Sequence, residues 1–170
     1  AMEGRPASSR PPFINTTGDT YGISVARHEA VYGLPNEEAA FIDMRQTRVD
    51  AQAILRDPTA SLESLRFRIG SSHYEHTEFE APGVAGTVFG NDEYQARVEA
   101  VHQAVAGFRG VLGAQAGFRD FSASGEEAYV PNVSSRQAGL FMVEEKAVSF
   151  GKIEGGLRVD EAGAVARRPA

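Results

Sequence analysis

Arg66 and Arg68 flank Phe67 in the segment Leu65-Arg66-Phe67-Arg68-Ile69, and an extended chain places residues two apart on one face. Two guanidinium groups held side by side can grip one phosphate or carboxylate through their forked N–H donors. Leu65, Phe67 and Ile69 take the opposite face, so the strict alternation predicts a strand. Arg27, closing an earlier alternating run from Tyr21, and Lys152 complete the expected ligand-binding set of Arg27, Arg66, Arg68 and Lys152. The competing use of such a pair is as surface charge that discourages one sheet edge from pairing with another. The residues themselves single out no catalytic acid, base or nucleophile.

His73-Tyr74-Glu75-His76 offers metal-ligand residue types. In a strand, positions 73 and 76 point to opposite faces, and no helical His-Glu-x-x-His pattern accompanies them. The stretch therefore reads as a solvated polar loop, and neither metal nor cofactor is expected. With no cysteine in the chain, disulfides, thiolate catalysis and cysteine-based zinc sites are excluded. A formal net charge of −6 speaks against a general phosphate-backbone binder, whose affinity needs many cationic contacts. Nucleic acid is not an expected partner.

The elements that must carry these residues read as an α+β fold. Residues 1–17 are rich in Pro, Ser and Arg, which predicts a flexible N-terminal arm. Residues 18–160 form one domain and 161–170 a frayed tail. Pro35-Asn36-Glu37-Glu38 supplies a helix cap and acids for the positive end of the helix dipole. A helix over 36–56 follows, stopped by Asp57-Pro58. Asn91-Asp92-Glu93 repeats the signature before Tyr94, Val98, Val101, Val105, Phe108 and Leu112. Their spacing of three and four predicts a second helix over 91–112. About six short strands, including 65–69 and 84–89, make the mixed or antiparallel sheet on which the two helices pack. No apolar run approaches the eighteen or so residues needed to span a bilayer, so no membrane span is expected.

The segment Gly18-Asp19-Thr20-Tyr21-Gly22-Ile23-Ser24-Val25-Ala26-Arg27 resembles the first core strand of the phosphothreonine lyase family of type III secreted effectors. The expected order after it is similar: a helix, an arginine-bearing strand, another strand, and a long helix. Ser149-Phe150-Gly151 resembles a segment near the end of the related HopA class of plant-pathogen effectors. The resemblance implies a bacterial effector secreted into a host cell, its arginines binding a phosphorylated or acidic host protein or phosphopeptide. In that family a lysine removes the Cα proton and a histidine protonates the leaving oxygen. Gly22 stands where the histidine should be, and neither Lys146 nor Lys152 falls on the Arg66–Arg68 strand. The implied activity is then binding without the catalytic pair.

Phe121-Ser122-Ala123-Ser124 resembles the serine-bearing strand of mono-ADP-ribosyltransferases, which implies Arg68 as a dinucleotide-binding arginine and Glu144 or Glu145 as the glutamate. Glu144-Glu145-Lys146 departs from that family's Glu-x-Glu. A third reading is a non-catalytic interaction module that recognises a partner protein through shape, which would need the apolar stripe of 91–112 exposed, whereas its spacing predicts a core face.

Overall fold

A computed structural model describes residues 14–16, 18–33, 39–125 and 128–167. Among the described residues there is no helix. Eight strands run β1 (Ile14–Thr16), β2 (Asp19–Gly33), β3 (Phe41–Thr59), β4 (Leu62–Ala81), β5 (Val84–His102), β6 (Phe108–Gly125), β7 (Asn132–Val148) and β8 (Gly151–Arg167). They form one sheet in sequence order, and each strand pairs antiparallel with its chain neighbours.

The α+β expectation is thus overturned. Most of the expected 36–56 helix is β3, and the expected 91–112 helix is divided between β5 and β6. The capping residues Pro35, Asn36, Glu37 and Glu38 lie outside the described residues. The physical reason lies in the alanines. Tyr94, Ala96, Val98 and Ala100 alternate with Gln95, Arg97 and Glu99, and Val49, Ala51, Ala53 and Leu55 alternate with Arg48, Asp50 and Gln52. When alanine counts as a small apolar strand residue, the period is two. When it counts as a helix former, the larger residues that remain fall three and four apart, and packing overrides the propensity.

The succession of elements on which the lyase resemblance rested is therefore absent, because strands stand in place of both helices. Residues 161–167, expected to fray, complete β8 in register with β7. Ile14–Thr16 of the expected arm pairs with β2.

Turn chemistry supports the hairpins. Ala106 and Gly107 both have positive φ, 52° and 81°, between the bridged Val105 and Phe108. This is the type I′ geometry whose twist suits adjoining strands. Gly83, at φ 82°, turns β4 into β5.

The sheet buries almost nothing. Ala40, Ile42 and Ala123 are its buried apolar residues, and no large side chain is fully enclosed. Ile23, Val25, Ile69, Leu140, Leu157 and Val159 are each more than 60% exposed.

Candidate functional site: two faces of one sheet

Directly opposed residues in an antiparallel pair share a face, so the register sorts every side chain. On one face stand Tyr21, Ile23 and Val25 of β2, then Val49, Ala51, Ala53 and Leu55 of β3. Leu65, Phe67 and Ile69 of β4 continue the row, followed by Tyr94, Ala96, Val98 and Ala100 of β5. Leu112, Ala114, Ala116 and Phe118 of β6, Ala138, Leu140 and Met142 of β7, and Leu157 and Val159 of β8 complete it. This apolar belt is uncharged from β2 to β6, and in β7 and β8 it is shorter, because Arg136 stands opposite Phe118 and Glu161 opposite Ala138.

The belt has sharp borders. Toward one end, Arg27, Thr47, His73, Asp92, Asp120 and Ser134 lie across from one another in successive strands. Toward the other stand Asp57, Glu63, His102 and Glu144. In β3, β5 and β6 the apolar stretch covers seven positions, 49–55, 94–100 and 112–118, a height of about 20–24 Å at the usual strand rise. Tyr94 and Phe118 occupy the last apolar row beside Asp92 and Asp120.

The reverse face is polar. Arg48 pairs with Asp50 at 2.7 Å, Arg97 with Glu99 at 2.7 Å and Arg158 with Asp160 at 2.6 Å. Each pair sits two residues apart on one strand. Gln115 accepts a hydrogen bond from Arg97 at 2.9 Å, and the Arg97 guanidinium also lies 4.3 Å from the centre of the Phe141 ring. A hollow of about 570 Å³ on this face is lined by Arg48, Arg68, Arg97, Gln52, Gln95 and Gln115. Gly22, Ser24 and Gly70 keep its floor open.

Of the four residues expected to bind a ligand, Arg66 and Arg68 do share the polar face, and Arg68 lines the hollow. Arg66 lies beyond it. Arg27 is on the apolar-belt face, at the border, where it pairs with Glu29 at 2.5 Å. Lys152 stands near the start of β8 and pairs with Glu145 at 2.7 Å and Glu154 at 3.3 Å. The four do not converge. Gln52, Gln95 and Gln115 were missed because amides carry no charge to draw notice, yet their alternation with apolar neighbours marks them as one face.

The ADP-ribosyltransferase trio is dispersed. Ser122 is opposite Gly90 near one end of the sheet, Glu144 is opposite Gly110 near the other, and Arg68 is on the reverse face. His73 and His76 occupy opposite faces of strand β4, not a loop. His73 Nδ1 is 2.5 Å from Asp92, and His76 stacks on Phe89 with ring centres 4.6 Å apart. Among the described residues no three His, Asp or Glu side chains are grouped to hold a metal.

At the border of the belt His102 Nε2 donates to Glu144, 2.9 Å away, while Nδ1 lies 2.7 Å from the Gln103 carbonyl. These two hydrogen bonds, the backbone one foremost, raise the His102 pKa above its ordinary value. Gly110, between them in the register, leaves the space that the Glu144 carboxylate occupies.

Among the described residues no helix is long and apolar enough to cross a membrane. No protein-family model matches the sequence.

Proposed function

We propose that these strands form part of the wall of a transmembrane β-barrel of the outer-membrane type, an aqueous pore or transporter for polar solutes. The apolar face meets lipid and the polar face lines the lumen. The observation that carries this reading is the apolar belt across seven strands, uncharged from β2 to β6 and bounded at both ends by ionisable side chains.

Its height of about 20–24 Å is close to the apolar band of about 25 Å that such barrels present to lipid. β2 to β8 run from 15 to 20 residues, more than the roughly 9–11 a tilted spanning strand requires. In water a single-layer sheet with this face exposed would aggregate. In lipid the same face is solvated by acyl chains, and the continuous ladder satisfies the backbone. Alternation of apolar-out and polar-in residues with short turns is the expected pattern.

The polar face explains how solutes would pass. Arg–acid pairs and glutamine amides offer hydrogen bonds to a hydrated solute. The long edges of β2 and β8 have no strand partner along most of their length among the described residues. Unpaired edges are untenable in hydrocarbon, so in a barrel both of these edges must be paired.

The chain contains no Trp, so single-tryptophan variants test the assignment. Protein folded into vesicles with brominated acyl chains should show strong quenching for Leu140→Trp and little for Gln137→Trp. Equal quenching at both positions, or failure of the folded protein to partition into vesicles, would overturn it.

A further inference from the structure

Across the polar face, charge is compensated strand by strand, with a gap at β4. Arg48, Arg97 and Arg158 each have a carboxylate two residues away on their own strand. Two residues from Arg68 stand Arg66 and Gly70, and Arg68 makes no ion pair with any described residue. Its partners across the sheet are Gln52 on β3 and Arg97 on β5. Two guanidinium groups therefore stand opposite each other, and Arg97 alone is neutralised, by Glu99.

We propose that Arg68, with Gln52 and the neighbouring Arg97, is a seat for the carboxylate or phosphate group of a solute held in the 570 Å³ hollow. The inference deepens the lumen reading by naming the solute class. Arg68 supplies the planar fork that binds an oxyanion through two N–H groups. The Gln52 amide can donate a further hydrogen bond, and Arg97, held by Glu99, stands directly opposite Arg68 as the other wall of the seat. Gly70, next on that face of β4, places hydrogen where a side chain would otherwise narrow the entry. Asp50 also lines the hollow, but its carboxylate is engaged by Arg48 through both oxygens, at 2.8 and 2.7 Å, which limits its repulsion of the guest.

The test is NMR of the side-chain Nε–H resonances of arginine in the full chain, folded in detergent micelles and titrated separately with inorganic phosphate and with acetate. The Arg68 signal, assigned by its loss in Arg68→Gln, should shift saturably. Apparent affinity, read from the Arg97 signal, should fall at least tenfold in Arg68→Gln and stay near wild type in Arg66→Gln. Response to phosphate alone would place a phosphate-bearing solute here; response to both would fit carboxylates as well. An Arg68 signal that does not saturate, or an Arg97 response unchanged in Arg68→Gln, would overturn the seat. The lipid-quenching result is independent, so loss of the membrane reading and loss of the anion seat are told apart.

Discussion

The ring of Phe141 on β7 lies over Gly113, its direct partner on β6, in the space a β-carbon at position 113 would fill. Arg97 stacks on that ring and hydrogen-bonds Glu99 and Gln115, so the empty position at 113 lets an aromatic plate anchor the polar face. Gly113→Val should displace the ring and cost about 1–3 kcal/mol, the usual scale of overpacking. Urea unfolding in micelles measures it. Adding Phe141→Ala should remove most of the penalty, because the collision partner is gone.

Charge placed on the two faces should have unequal effects. Leu140→Arg puts a guanidinium in the middle of the belt and should cost about 2–4 kcal/mol on folding into vesicles. Gln137→Arg, on the reverse face, should change stability by less than about 1 kcal/mol. Comparable losses at the two positions would contradict the assignment of faces.

Ala106 holds a left-handed conformation, with φ of 52°, that costs an ordinary residue about 1 kcal/mol. Asn followed by Gly is the favoured pair for a type I′ turn. Ala106→Asn should therefore raise stability by about 0.5–1 kcal/mol, seen as a higher unfolding midpoint with an unchanged slope.

His102 is the last residue of β5 and lies outside the apolar belt. Its folded-state pKa is raised, chiefly by the Gln103 carbonyl and then by Glu144. The protonated ring binds its partners in the folded state, so the stabilisation is complete below the ordinary value of 6.5. It is lost as pH rises through the raised folded value. Wild type should therefore lose stability relative to His102→Gln as pH climbs from about 6.5 upward. Parallel stability curves for the two proteins would show that the pairing has no energetic weight.

The strand at 65–69, the shared face of Arg66 and Arg68, and the opposed directions of His73 and His76 could all be read from alternation. The helices could not be excluded that way, because Ala, Gln, Glu and Arg favour helix locally and only the register with neighbouring strands reveals their two-residue period. The apolar belt was harder still to see. Each strand contributes two to four apolar residues, which in isolation resemble a soluble protein's core. Only alignment of seven strands shows that the apolar residues share one height and one side. Arg27 was misgrouped because odd positions of β2 face away from even positions of β4, a parity set by two intervening registers.

Neighbour-only pairing from β1 to β8 also bears on how such a sheet can change over generations. A duplicated or deleted hairpin inserts or removes two adjacent staves and leaves every other seam intact. Circumference can therefore vary in steps of two while inside and outside keep their identities. A single added strand would reverse the direction of everything after it, sending each later connecting turn to the wrong side of the bilayer.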